Sequence, residues 1–128
     1  MPITFTVSTE ENLIRTVAVG EVHLEDIQRY VQEQMSHPDI RPGMNEIVDM
    51  REATLDLTYE KMQQVVGNIE PFNEKVGEAR CALVSGVDIS FAFARMYEMM
   101  AEQTGVETRA FREMAAALEW LGIDTSAE

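Results

Sequence analysis

The chain has 128 residues and carries 10 Lys and Arg against 23 Asp and Glu, a formal charge of −13. A surface with that balance repels phosphate backbones and anionic headgroups, which argues against nucleic acid and peripheral membrane partners. Its single cysteine, Cys81, excludes an internal disulfide and thiolate metal clusters, and no uncharged run approaches the ~20 residues that a membrane span needs.

A single domain is expected over residues 1–124, large enough to bury roughly 65–70% of its unfolded surface. Ile3, Phe5 and Val7 alternate with Thr4, Thr6 and Ser8, the period of a half-buried strand. After the polar turn Glu10-Glu11-Asn12, a second strand is predicted from Leu13 to Gly20, making a hairpin. Leu24, Ile27, Val31 and Met35 then recur at helical spacing, with Tyr30 beside them. That helix starts near His23 and cannot pass Pro38. Ile47, Val48 and Met50 form a third strand, apolar enough to be interior and parallel.

Thr58 suits the N-cap of a second helix whose inward residues are Met62, Val65, Val66 and Ile69. Pro71 removes a hydrogen bond to Gly67, so a kink or restart is expected there. Cys81 to Val84 reads as a central parallel strand stopped by Ser85-Gly86. Asp88 should cap a third helix carrying the stripe Ile89, Ala92, Phe93, Met96, Tyr97 and Met100, closed by Gly105. Val106 to Phe111 makes an edge strand with Glu107 and Arg109 on one face, and a last helix runs from about Arg112 to Leu121, ended by Gly122. Residues 125–128 read as a disordered tail.

In open α/β sheets, ligands bind outside the carboxyl ends of the strands. Here the residues placed there are Asp49 and Arg51 after the third strand and Ser85 and Asp88 after the fourth, with Arg51 expected opposite Asp88. Met96 and Met99, beside Phe91 and Tyr97, offer a soft apolar surface, and a kinked second helix would open a groove next to it. His23 and His37 show no spacing that sets two metal ligands on one face, so no metal is expected. Val84-Ser85-Gly86-Val87-Asp88 lacks the GxGxxG and GxxxxGK[ST] patterns, so no cofactor of the kinds those loops hold is expected either.

Several phrases carry a resemblance: Val19-Gly20-Glu21-Val22, His37-Pro38-Asp39-Ile40-Arg41-Pro42-Gly43, Glu46-Ile47-Val48-Asp49-Met50-Arg51 and Ala94-Arg95-Met96-Tyr97-Glu98. With the order of elements, they resemble the SpoIIAA-like family of small bacterial domains, related to STAS domains and similar to Sec14-type lipid-binding folds. The resemblance implies an α/β fold: one layer of mixed five-stranded sheet opened by an antiparallel hairpin, with four helices mostly on one side. In anti-anti-sigma members a phosphorylated serine follows the third strand. The stretch Arg51-Glu52-Ala53-Thr54-Leu55-Asp56-Leu57-Thr58 has no matching serine, and only Thr54 and Thr58 offer a hydroxyl for modification there.

The resulting expectation is a non-enzymatic binding module in the cytoplasm, homodimeric, which binds a protein or a small ligand at the strand ends. The alternative is a carrier of an apolar or lipid-like ligand in a groove between the helices under Met96 and Met99. An enzyme ranks third, with Asp49, Arg51 and Asp88 as its best residues.

Overall fold

In the computed structural model, which describes residues 2–123, five strands form one sheet in the order β1-β2-β3-β4-β5. The tail expected at 125–128 lies outside the described residues. Strands β1 (Ile3–Ser8) and β2 (Leu13–Val22) pair antiparallel, and Asn12 takes a positive φ of 55° in the turn between them. From β2 onward every pairing is parallel: β2 with β3 (Asn45–Leu55), β3 with β4 (Arg80–Val84), and β4 with β5 (Glu107–Phe111). Each parallel step needs a crossover, supplied by α1 (Leu24–Met35), α2 (Tyr59–Val76) and α3 (Asp88–Met100).

Those three helices cover one face of the sheet. Ile14, Ala18 and Val22 of β2, Met50 and Ala53 of β3 and Leu83 of β4 meet Ile27, Tyr30, Val31, Met62, Val65, Phe72 and Ala94 there. The last helix, α4 (Met114–Leu121), lies on the other face, where Ala117, Leu118 and Leu121 pack on Leu13, Ile47, Ala82 and Val84. Interior strands therefore bury both faces, as Ile47 beside Met50 and Val84 beside Leu83 show. Gly122 ends α4 with φ 77°, the left-handed geometry a residue without Cβ adopts freely. Thr58 caps α2 as expected, its Oγ1 accepting from the Lys61 N–H at 3.2 Å.

Four expectations are corrected. Gly20 does not end β2, which continues to Val22 because β3 runs on to Leu55 and offers Ala53, Thr54 and Leu55 as partners. Helix α2 does not restart at Pro71; it runs unbroken to Val76, so one missing N–H does not outweigh the packing of Phe72 and Val76 against the core. Asp88 is not the cap of α3 but its first residue, after Val87. The inward face of α3 is also wider than expected at its start: Phe93, Met96, Tyr97 and Met100 pack against the core as the stripe predicts, but Ser90 and Ala94 are the fully buried residues while Ile89 is 64% exposed. Small residues let that helix approach β3 closely, and the Ser90 hydroxyl donates to the Ala53 carbonyl at 3.3 Å.

Leu118 is the residue by which α4 closes the second core, so Leu118→Ala should cost about 3 kcal/mol of unfolding free energy. Urea denaturation checks this, and an unchanged midpoint would contradict the role given to α4.

Candidate functional site

Between the sheet and the three crossover helices lies a cavity of about 120 Å3. Most of its wall is apolar: Val48, Met50 and Leu83 from the sheet, Ile27 from α1, Met62 and Val65 from α2, and Phe93 from α3. One end is polar, and its centre is Glu46. Because side chains alternate along a strand, Glu46 shares the inward face of β3 with Val48 and Met50.

The Glu46 carboxyl is buried, 6% exposed, and is held by uncharged donors. Its Oε2 accepts from Thr16 Oγ1 of β2 at 2.6 Å, from Gln34 Nε2 of α1 at 3.0 Å, and from the Tyr30 hydroxyl of α1. All three bonds end on Oε2, and no described residue donates to Oε1. Burial raises the carboxyl's pKa above the ordinary range, and the bonds from Thr16, Tyr30 and Gln34 oppose that rise. The same surroundings raise Tyr30, by burial first and then the Glu46 charge. Tyr97 of α3 is raised chiefly by burial and lowered partly by its bond with Asn73 of α2.

Cys81 stands next to Glu46 across the β3/β4 ladder, and Thr108 stands next to Cys81 across β4/β5, so the three form one row on the cavity floor. Burial and the neighbouring Glu46 push the Cys81 thiol well up, which keeps it protonated and unreactive. The Thr108 hydroxyl is buried without a hydrogen-bond partner among the described residues.

Sequence reasoning missed this constellation. Position 46 falls on the face of Val48 and Met50, and Gln34 lies on the Ile27–Tyr30–Val31 stripe, so face-by-face reading of polar residues would have found both. Thr16 was also legible, sharing its face with Ile14 and Ala18.

The residues expected to converge at the strand ends do not meet. Asp49 and Arg51 lie within β3, not after it, and pair with each other: Arg51 Nε and Nη2 reach Asp49 Oδ1 and Oδ2, both at 2.9 Å. The β2/β3 register slips here, and the Arg51 N–H donates to Asp49 Oδ1 at 3.1 Å. The guanidinium first, and then that backbone bond, hold the Asp49 carboxyl below its usual pKa against the opposing effect of burial. Asp88 pairs instead with Arg112 at 2.6 Å, and Arg112 stacks over Phe91. Ser85 is fully buried; its N–H donates to the Phe111 carbonyl at 3.0 Å, and its hydroxyl has no partner among the described residues. Met96 packs against the core and Met99 is 65% exposed; neither lines the cavity beneath the helices, which is walled on the α3 side by Phe93, Ala94 and Tyr97. Thr54 is exposed on β3.

His23 behaves differently from the spacing argument. Its ring nitrogens lie 3.3 Å from Glu21 and 3.1 Å from Asp56, which is 33 residues away in sequence. The three are solvent-exposed and tie the end of β2 and the start of α1 to the segment after β3. His37 accepts from the Asp39 N–H and meets the Phe5 ring edge-on.

No family model matches the chain, and no curated protein matches it. Among solved structures it is similar to an uncharacterised protein from the DUF3478 family of Shewanella loihica, described as having a SpoIIAA-like fold. The identity is 18%, the TM-score 0.61, and the match covers 93% of each chain. The fold is thus SpoIIAA-like, in agreement with the resemblance carried by the sequence phrases. No helix among the described residues is long and apolar enough to cross a membrane.

Two outcomes follow from the carboxyls. Glu46 keeps its proton in the folded state at pH values where the unfolded chain has lost it. Its contribution therefore falls as pH rises from the ordinary carboxyl range to the raised folded value. The stability difference between wild type and Glu46→Gln, followed by urea midpoints against pH, should change in favour of the variant across that window. A flat difference would contradict the burial. Asp49 has the opposite sign: its folded pKa is lowered, so its contribution is present above the ordinary carboxyl range and lost as pH falls below it. Asp49→Ala should cost ~1 kcal/mol at pH 7 and nothing at the acid end of that window.

Proposed function

We propose that the chain is a non-catalytic binding module whose site is the cavity between the sheet and α1, α2 and α3, and whose occupant is a small apolar molecule. The observation that carries this reading is an apolar chamber of about 120 Å3 roofed by three helices in a domain of only 128 residues. Well-packed interiors leave few voids larger than a water molecule, and each forfeits the contacts its lining would otherwise make. An engineered apolar cavity of about 150 Å3 admits benzene, so the scale here is that of one ring or a short chain, not of a full lipid.

The chemistry of the lining supports binding over catalysis. Tyr30, Tyr97 and Cys81 are all shifted toward their neutral forms, and the carboxyl of Glu46 is held by three neutral donors, with no cation among its partners in the described residues. Such groups are suited to hydrogen bonding a ligand more than to nucleophilic attack. The residues expected at the strand ends support the same choice, since Asp49 is engaged by Arg51 and Asp88 by Arg112.

Toluene, followed by calorimetry and by methyl chemical shifts, should bind saturably and perturb Val48, Leu83 and Val65. Val48→Phe, which fills the chamber from the sheet side, should abolish that binding while the protein stays folded. If toluene perturbs none of these methyls in the wild-type protein, the cavity is not a binding site.

A further inference from the structure

The polar end of the chamber has an acceptor that the protein leaves free. Three donors converge on Oε2 of Glu46, none of the described residues donates to Oε1, and Glu46 lines the cavity. At the far end of the same row, past Cys81, the Thr108 hydroxyl is buried without a partner among the described residues. Among the described residues the Thr108 hydroxyl is a buried polar atom left without a hydrogen bond, which costs roughly 1–3 kcal/mol, and beside the open Glu46 Oε1 it favours an occupant that supplies a polar atom of its own.

The charge of that occupant is constrained from both sides. An anion would face the Glu46 carboxyl, and the one cation lining the chamber among the described residues, Arg80, turns its guanidinium away: Nη1 donates to the Trp120 carbonyl at 2.8 Å and the group lies over the Trp120 ring. A cation would have to give up its hydration for walls that are mostly apolar and a carboxyl already shared by three donors. A neutral hydroxyl meets neither objection, since it donates to an acceptor and carries no charge to desolvate.

We propose that the chamber selects a neutral, phenol-sized ligand bearing one hydroxyl, with that hydroxyl donating to Glu46 Oε1 and the apolar body lying against Val48, Leu83 and Phe93. The proposal rests on the cavity being the binding site and adds the chemical class of its occupant.

The test compares ligands that share one body. Toluene, p-cresol, p-methylanisole, benzylamine and benzoate are titrated into the wild-type chain by calorimetry at neutral pH. p-Cresol should bind about tenfold tighter than toluene, the effect of one good hydrogen bond. p-Methylanisole, which cannot donate, should gain nothing over toluene. In Glu46→Gln the carbonyl oxygen must stay with Thr16, Tyr30 and Gln34, so the amide presents a donor where Oε1 was. The p-cresol advantage should then vanish while toluene binds as before.

Equal affinities for p-cresol and toluene in the wild type would overturn the hydroxyl assignment and leave the cavity reading intact. So would a p-cresol advantage that survives in the variant, or tighter binding of benzylamine or benzoate. Should neither toluene nor p-cresol bind, both readings fall together. The p-methylanisole comparison uses wild-type protein only, so the assignment can be refuted even if the Gln variant does not fold.

Discussion

Three consecutive parallel crossovers set the terms for the rest of this molecule. Each of α1, α2 and α3 carries the chain from the end of one strand to the start of the next, and all three lie on the same face of the sheet. That face receives the larger core and the chamber within it. Among the described residues the other face has only α4, which reaches Leu13, Ile47, Ala82 and Val84 and leaves the later residues of β2 uncovered. Val17 and Val19 are accordingly 42% and 49% exposed, while Ala18 between them is buried under the helices.

Within the crowded face, Glu46 does more than occupy a position. Its Oε2 gathers a hydroxyl from β2 and two groups from α1, so one atom ties the first crossover helix to the two strands it connects. A buried carboxyl is costly unless its lone pairs are used, and here three neutral donors offset part of that cost while burial still shifts it toward the protonated form.

Much of the architecture was legible from local pattern. Alternation in Ile3–Ser8, the helical recurrence of Ile27 and Val31, the cap at Thr58 and the glycine at 122 each specify local geometry through forces acting within a few residues. Strand length was less legible: β3 gains its last residues only because β2 lies alongside, and the Asp49–Arg51 pair belongs to the slip between them. Apolarity also misled on α3, where Ile89 points outward and Ser90 inward, since closeness to the sheet there is set by small side chains and a hydroxyl with a carbonyl to meet. The chamber's polar end needed contacts between β2, α1, β3 and β5, which no single segment announces. Partners far apart in the chain, such as His23 with Asp56, are invisible to spacing for the same reason.

The spatial order of the five strands is also their order along the chain. Every strand after the first docks against one that precedes it in the chain, so each finds one matched edge as soon as it is made. Assembly can therefore advance from the amino end as synthesis proceeds, with only one growing edge exposed at a time, a favourable arrangement for a parallel sheet whose pairings otherwise form slowly and invite association with other chains.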